Sequence, residues 1–183
     1  MLLNIRNPWV WLSRLRYRKG YGVHSPFAFQ FITQVLYTPG RYYADEWLEL
    51  QFSRWERLAH VRQLAICRLL FRLANHWQPK FIGAWGAGAR ELSYLHQGCR
   101  QAELLTESDG RELPFLYVNI LSDDAIVRVG DRGLLVVDKL RENLVKWEAL
   151  KQDARVNVTF DLYDVGIAVF DSRLQRQDYM INW

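Results

Sequence analysis

Apolar positions recur at helical spacing in the first half of the chain and gather into short continuous runs in the second. Ser25-Pro26 reads as an N-cap followed by proline at the first helical position. Phe27, Phe31 and Val35 then repeat every four residues, which predicts a helix from Pro26 to Tyr37 that stops before Pro39-Gly40. From Arg41 to Gln78 there is neither glycine nor proline. Leu48, Phe52, Trp55 and Ala59 share one helical face, and Ile66, Leu69, Leu70, Leu73 and Trp77 share another. The face shifts near Arg62, so this stretch predicts one bent helix or two.

The texture changes at Pro79. Phe81 to Trp85 is an apolar run entering Gly86-Ala87-Gly88, a strand turning into a loop, and Arg90 to His96 then reads as a short helix. Ala102 to Glu107 and Phe115 to Ile120 are further strands. Gly133 to Asp138 is a continuous apolar run ending in an acid, the pattern of a strand buried on both faces. Lys139 to Asp153 has helical spacing through Leu140, Leu144, Trp147 and Leu150. Val156 to Tyr163 and Gly166 to Phe170 flank a tight Asp164-Val165-Gly166 connection and read as a hairpin. Strands alternating with helices predict an α/β sheet. Its ligands would sit beyond the carboxyl ends of the strands.

The chain has 183 residues, 50% of them hydrophobic and 24% charged, which places it among folded domains rather than disordered chains. A domain of this length buries roughly 70% of its extended surface and folds without disulfides or metal. The only cysteines, Cys67 and Cys99, lack metal-site spacing, and a reduced cytoplasmic setting is expected. No apolar run reaches the roughly 20 residues needed to span a bilayer, and the apolar start lacks a signal-peptide cleavage site. The net charge is +4 but is unevenly placed. Residues 1–44 hold Arg6, Arg14, Arg16, Arg18, Lys19 and Arg41 and no acid, together with Trp9, Trp11, Tyr17 and Tyr21. This predicts a basic, aromatic, helical arm over 1–44 and an α/β domain over 45–183. Such an arm suits an anionic membrane, nucleic acid or an acidic partner. The plainer reading packs it on the domain with its arginines solvated. On a helical wheel Arg16 interrupts the face of Trp9, Trp11, Leu12 and Leu15, which speaks against an interfacial anchor.

The string Gly22-Val23-His24-Ser25-Pro26-Phe27 resembles the entry motif of a group of bacterial class I, Rossmann-like S-adenosylmethionine-dependent methyltransferases. Leu70-Phe71-Arg72-Leu73-Ala74-Asn75 with Pro79-Lys80 is similar to the helix before their first strand. Leu134 to Asp138 is similar to their strand five, and Val158 to Tyr163 with Gly166 to Phe170 to their strands six and seven. The resemblance runs from about Gly20 to the end of the closing strands. It implies a Rossmann-like sheet, mostly parallel with a C-terminal antiparallel hairpin, preceded by N-terminal helices. It also implies S-adenosylmethionine bound over strands one and two and methyl transfer to an oxygen or nitrogen acceptor.

Against that pattern the chain is altered. The acid before the first glycine is Ala84, the later glycine is Arg90, and the acid of strand four is Asn119. Gly86 remains, and Gly88 can serve in a shifted loop. Glu107 fits the acid that binds the donor ribose, and Asp138 keeps the acid after strand five. Only six residues separate Glu107 from Pro114, where the family has two helices and a strand. Parallel neighbours need a crossover of roughly a dozen residues. So either Phe115–Ile120 is antiparallel to the preceding strand, or one of the two is not a strand. The chain reads as a relative contracted between strands two and four.

Each candidate also has a plain structural reading. Gly86 and Gly88 make a strand–helix turn, Glu107 a solvated strand-end acid, Asp138 a helix cap and His24 a structural hydrogen bond. Cys67 and Cys99 read as inert. Three functions follow. The chain is a small methyltransferase using S-adenosylmethionine held by Gly86, Gly88, Glu107 and Asp138; or an inactive descendant kept as a binding module; or a peripheral binder using its arm. Strands left exposed by the contraction predict a homodimer that covers them.

Overall fold

A computed structural model describes residues 23–38 and 61–183. The rest of the basic arm, the Pro39-Gly40 stop and the Leu48–Ala59 face lie outside the described residues. The strands are β1 (Phe81–Trp85), β2 (Glu103–Leu105), β3 (Leu113–Val118), β4 (Val129–Val137), β5 (Val158–Asp161), β6 (Gly166–Phe170) and β7 (Gln177–Met180). The α-helices are α1 (Pro26–Phe31), α2 (Val61–Trp77), α3 (Ala89–Gly98), α4 (Asp123–Arg128) and α5 (Leu144–Leu150). One sheet holds all seven strands in the order β2-β1-β3-β4-β6-β5-β7. β6 alone runs against the others. This is a mixed α/β sheet, mostly parallel with antiparallel pairing near the C-terminus.

The apolar runs alternate between two cores, as strands buried on both faces must. Leu134, Val136, Ile167 and Val169 face one core with α1 and α2, while Leu135, Val137, Ala168 and Phe170 face the other with α4 and α5. Ser25 caps α1 through its Oγ, which accepts from Ala28 N at 3.3 Å. The helix then widens into a π-turn over Ile32–Leu36. Phe31 stacks on Phe160 with ring centroids 4.9 Å apart, fixing α1 to the sheet. Gly98 lets α3 approach α2: a Cβ there would lie 2.5 Å from the Phe71 carbonyl oxygen. Among the described residues no helix is long and apolar enough to cross a membrane.

The connection from β2 to β3 corrects the expectation drawn from its length. Both segments are strands, and both run parallel to β1, which lies between them. Leu105 at the end of β2 and Leu116 within β3 stand level with the same residue, Gly83. The chain therefore drops back only three residues, roughly 10 Å, and steps sideways by roughly 10 Å. Residues 106–112 can reach roughly 25 Å when extended, so no helix is needed. The loop crosses the α4/α5 face of β1, where the Arg111 guanidinium sits 4.8 Å from the Phe81 ring centroid. Gly83 makes room, because Leu113 and Leu116 fill the space its Cβ would take.

Candidate site at the carboxyl edge of the sheet

The direction of winding reverses between β1, which leads outward to β2, and β3, which leads to β4 on the other side. In open α/β sheets such a reversal opens a crevice beyond the strand ends where ligands bind. The first residues past β1, β3 and β4 are Gly86, Asn119 and Asp138. Main-chain bonds hold them side by side: Asn119 N donates to Trp85 O at 3.3 Å and Asp138 N to Val118 O at 2.8 Å.

These three positions are tied together by their own side chains. Gly86 turns with φ +76°, a conformation that favours glycine. The Asn119 amide donates to the Gly86 carbonyl. Its Oδ1 lies 2.8 Å from the Tyr117 hydroxyl, which is also 3.3 Å from Asp138 Oδ2. The single hydroxyl proton serves one of those acceptors at a time. Burial and the Asp138 charge push the Tyr117 phenol up, so it stays neutral. Asp138 Oδ1 accepts from Lys139 N at 2.7 Å and lies 3.5 Å from Arg62 Nη2. Arg62 also reaches Asp164, with Nε 2.8 Å from Oδ2.

Sequence reasoning missed Asn143. It lies buried just before α5, where Lys139 in a left-handed conformation (φ 49°) and the 3-10 turn Leu140–Glu142 interrupt the expected helix. Its Oδ1 accepts from Leu121 N at 2.8 Å. Its Nδ2 donates toward the carbonyls of Asn119, Asp138 and Lys139 at 2.9, 3.2 and 3.3 Å. One amide thus joins the loops after β3 and β4. The available signal was an asparagine inside a predicted helix, a position that residue disfavours.

The remaining candidates fall in different places. Gly88 N donates to Glu91 Oε2 at 3.1 Å, so the amide a ligand anion would meet at the start of α3 is engaged. Glu91 also accepts from Gln63 Nε2 at 2.9 Å. Beneath it Cys67 is fully buried, and burial with the Glu91 charge pushes its thiol up, which keeps it protonated and unreactive. Cys99 is buried with its Sγ 3.4 Å from the Pro79 carbonyl. β2 ends at Leu105, and Glu107 stands exposed two residues beyond it. Ala84 faces the α1/α2 core with no acid to offer. No cluster that would hold a metal ion occurs among the described residues. His24 is exposed, and Ser25 rather than His24 supplies the cap.

Burial pushes the Asp138 carboxyl above its ordinary range, against the pull of Lys139 N–H, Arg62 and Tyr117. Folding then favours the protonated acid. Its contribution is whole below the unfolded pKa, about 3.9, and is lost as pH rises through the folded value. Asp153 and Asp171 have the opposite sign. Hydrogen bonds from Arg155 and Arg173 hold them below the usual range, so their contribution is lost as pH falls. Comparing the protein with its Asp138→Asn variant cancels those two. The expected result is that wild type loses stability relative to the variant as pH rises from about 3 to about 7, read from urea midpoints. A constant difference across that range would contradict it.

The chain matches no protein-family model, and no curated protein matches it. Among solved structures it is similar to a methyltransferase from Geobacter sulfurreducens. The two are 12% identical with a TM-score of 0.43, over 81% of this chain and 97% of that one. A likeness of that depth assigns no activity.

Proposed function

We propose that this chain is a methyltransferase-fold protein working as a non-catalytic binding module, its crevice closed by its own side chains. The observation that carries this reading is the Asn119 side chain, which spans the reversal point from the Gly86 carbonyl to the Tyr117 hydroxyl. The neighbouring groups agree with it. Asp138 is already met by Lys139 N, Arg62 and Tyr117, and Gly88 N is met by Glu91. Glu107, which would hold the donor ribose, stands exposed beyond a three-residue strand. The acid-free, cationic first 44 residues make the partner of such a module an anionic one, whose binding weakens steeply with salt.

Calorimetric titration with S-adenosylmethionine and S-adenosylhomocysteine tests the reading. The expected result is no heat of binding, and no thermal stabilisation, up to about millimolar ligand. Stabilisation that grows with ligand concentration and disappears in Glu107→Ala would overturn it. That outcome would favour a second reading, S-adenosylmethionine-dependent methyl transfer to an oxygen or nitrogen acceptor. One feature supports the second reading: a glycine at positive φ lets the backbone after β1 approach a ligand at the reversal point.

A further inference from the structure

β7 ends the sheet with one side open. Its inward groups bond to β5 and its flanks: Gln177 N donates to Asn157 O and Ile181 N to Asp161 O, each at 2.8 Å. In a parallel ladder the alternate residues Arg176, Asp178 and Met180 direct their main-chain N–H and C=O groups away from the partner strand. No strand lies beyond them among the described residues, and all three are exposed, Met180 by 44%. An open edge is a template for another strand unless something guards it, and charge is the usual guard. Here the charges are Arg176 and Asp178, opposite in sign, two residues apart and on one face.

That spacing selects a partner. Two copies related by a two-fold axis pair identical edges antiparallel. Outward-bonding residues must face outward-bonding residues, so the axis falls on Arg176, Gln177, Asp178 or Tyr179. On Tyr179 it sets Asp178 opposite Met180 of the partner subunit, and no opposite charges meet. On Arg176 or Asp178 it sets identical charges directly opposite each other, which destabilises a pair. On Gln177 it sets Arg176 opposite Asp178 of the partner subunit, twice over. Existing contacts leave both charges capacity to do this. Arg176 donates to the Lys151 carbonyl, and Asp178 accepts from the Thr159 hydroxyl. A guanidinium has five donors and a carboxylate about four acceptor sites. The other open edge, β2, is only three residues long and offers less. We propose that two copies of this chain join through β7, antiparallel about Gln177, into one continuous sheet.

Sedimentation velocity of the full chain across a concentration series tests this, with circular dichroism and melting temperature as controls for folding. Wild type is expected to form a reversible dimer. Arg176→Glu and Asp178→Lys each set like charges opposite and are expected to weaken it about tenfold. The double variant R176E/D178K restores the complement and the affinity. A wild type that stays monomeric at every concentration overturns the proposal. So does a dimer indifferent to Arg176→Glu and Asp178→Lys, or a double variant no tighter than the single ones.

Discussion

Asn143→Ala will lower the stability of the protein by about 2–4 kcal/mol, although the substitution removes only a small polar side chain. The buried Leu121 N–H has its hydrogen bond from Asn143 Oδ1. The carbonyls of Asn119, Asp138 and Lys139 lose a shared donor at the same moment. Leaving one buried donor or acceptor unmet costs about 1–3 kcal/mol, and the carbonyls recover part of the loss through water at the sheet edge. Asn143→Asp will not rescue it, because a carboxylate keeps the acceptor for Leu121 but turns lone pairs toward three carbonyls. The measurement is the urea midpoint at unchanged slope, which separates stability from a change in compactness. A loss under about 1 kcal/mol would mean that solvent replaces the amide, and that Asn143 does not hold the two loops together.

The second large effect is at Trp147. It is the largest fully buried side chain among the described residues, 1% exposed, and it fastens α5 to the sheet. Gly166 at the start of β6 has no side chain, and the far edge of the Trp147 ring lies 2.8 Å from where its Cβ would be. Glycine and indole are therefore complementary shapes across the α5/β6 contact. Trp147→Ala is expected to cost about 3–5 kcal/mol, the range for emptying a tryptophan site in a core that relaxes only in part. Trp147→Phe retains most of the volume and should cost markedly less. If the two variants unfold at the same denaturant concentration, the site collapses freely and the packing argument is wrong.

Much of the fold was legible because burial leaves a periodic trace. β1 was read to the residue, since an apolar run bounded by Pro79 and Gly86 has no other register. The Ser25-Pro26 cap was equally clear. β4 was read short by four residues because Gly130, Asp131, Arg132 and Gly133 carry turn signals. In the structure these residues form a bulge: β4 meets β3 at Val129, Arg132 takes a positive φ (58°), and the pairing with β3 resumes at Leu134. β7 went unseen: Gln-Asp-Tyr-Met at an edge half-buries only alternate side chains, and four residues are too few to show a period. The helix expected over Lys139–Asp153 is a 3-10 turn and the shorter α5, because Lys139 must turn left-handed to bring Asn143 beneath the strand ends.

The candidate site divides along the same line. Gly86 and Asp138 could be named from the sequence because they stand where strands end, while Asn119 drew notice only for occupying the place of the family's strand-four acid. What they do there depends on which strands are neighbours. β1, β3 and β4 are adjacent because β2 lies on the outer side of β1, and that placement brings Asn119 onto Gly86 and Tyr117 between Asn119 and Asp138. The short β2–β3 link looked impossible for parallel strands because loop length is visible in a sequence and register is not.

By itself the sequence determined the class of sheet, the positions of its buried strands, the Ser25 cap and the concentration of positive charge in residues 1–44. These are local matters, set by periodicity and composition. Only the tertiary structure decided that β2 and β3 are parallel, that the reversal point is bridged by Asn119, and that β7 leaves an open edge of alternating charge. Those are set by register between segments far apart in the chain, where a shift of one residue changes every contact.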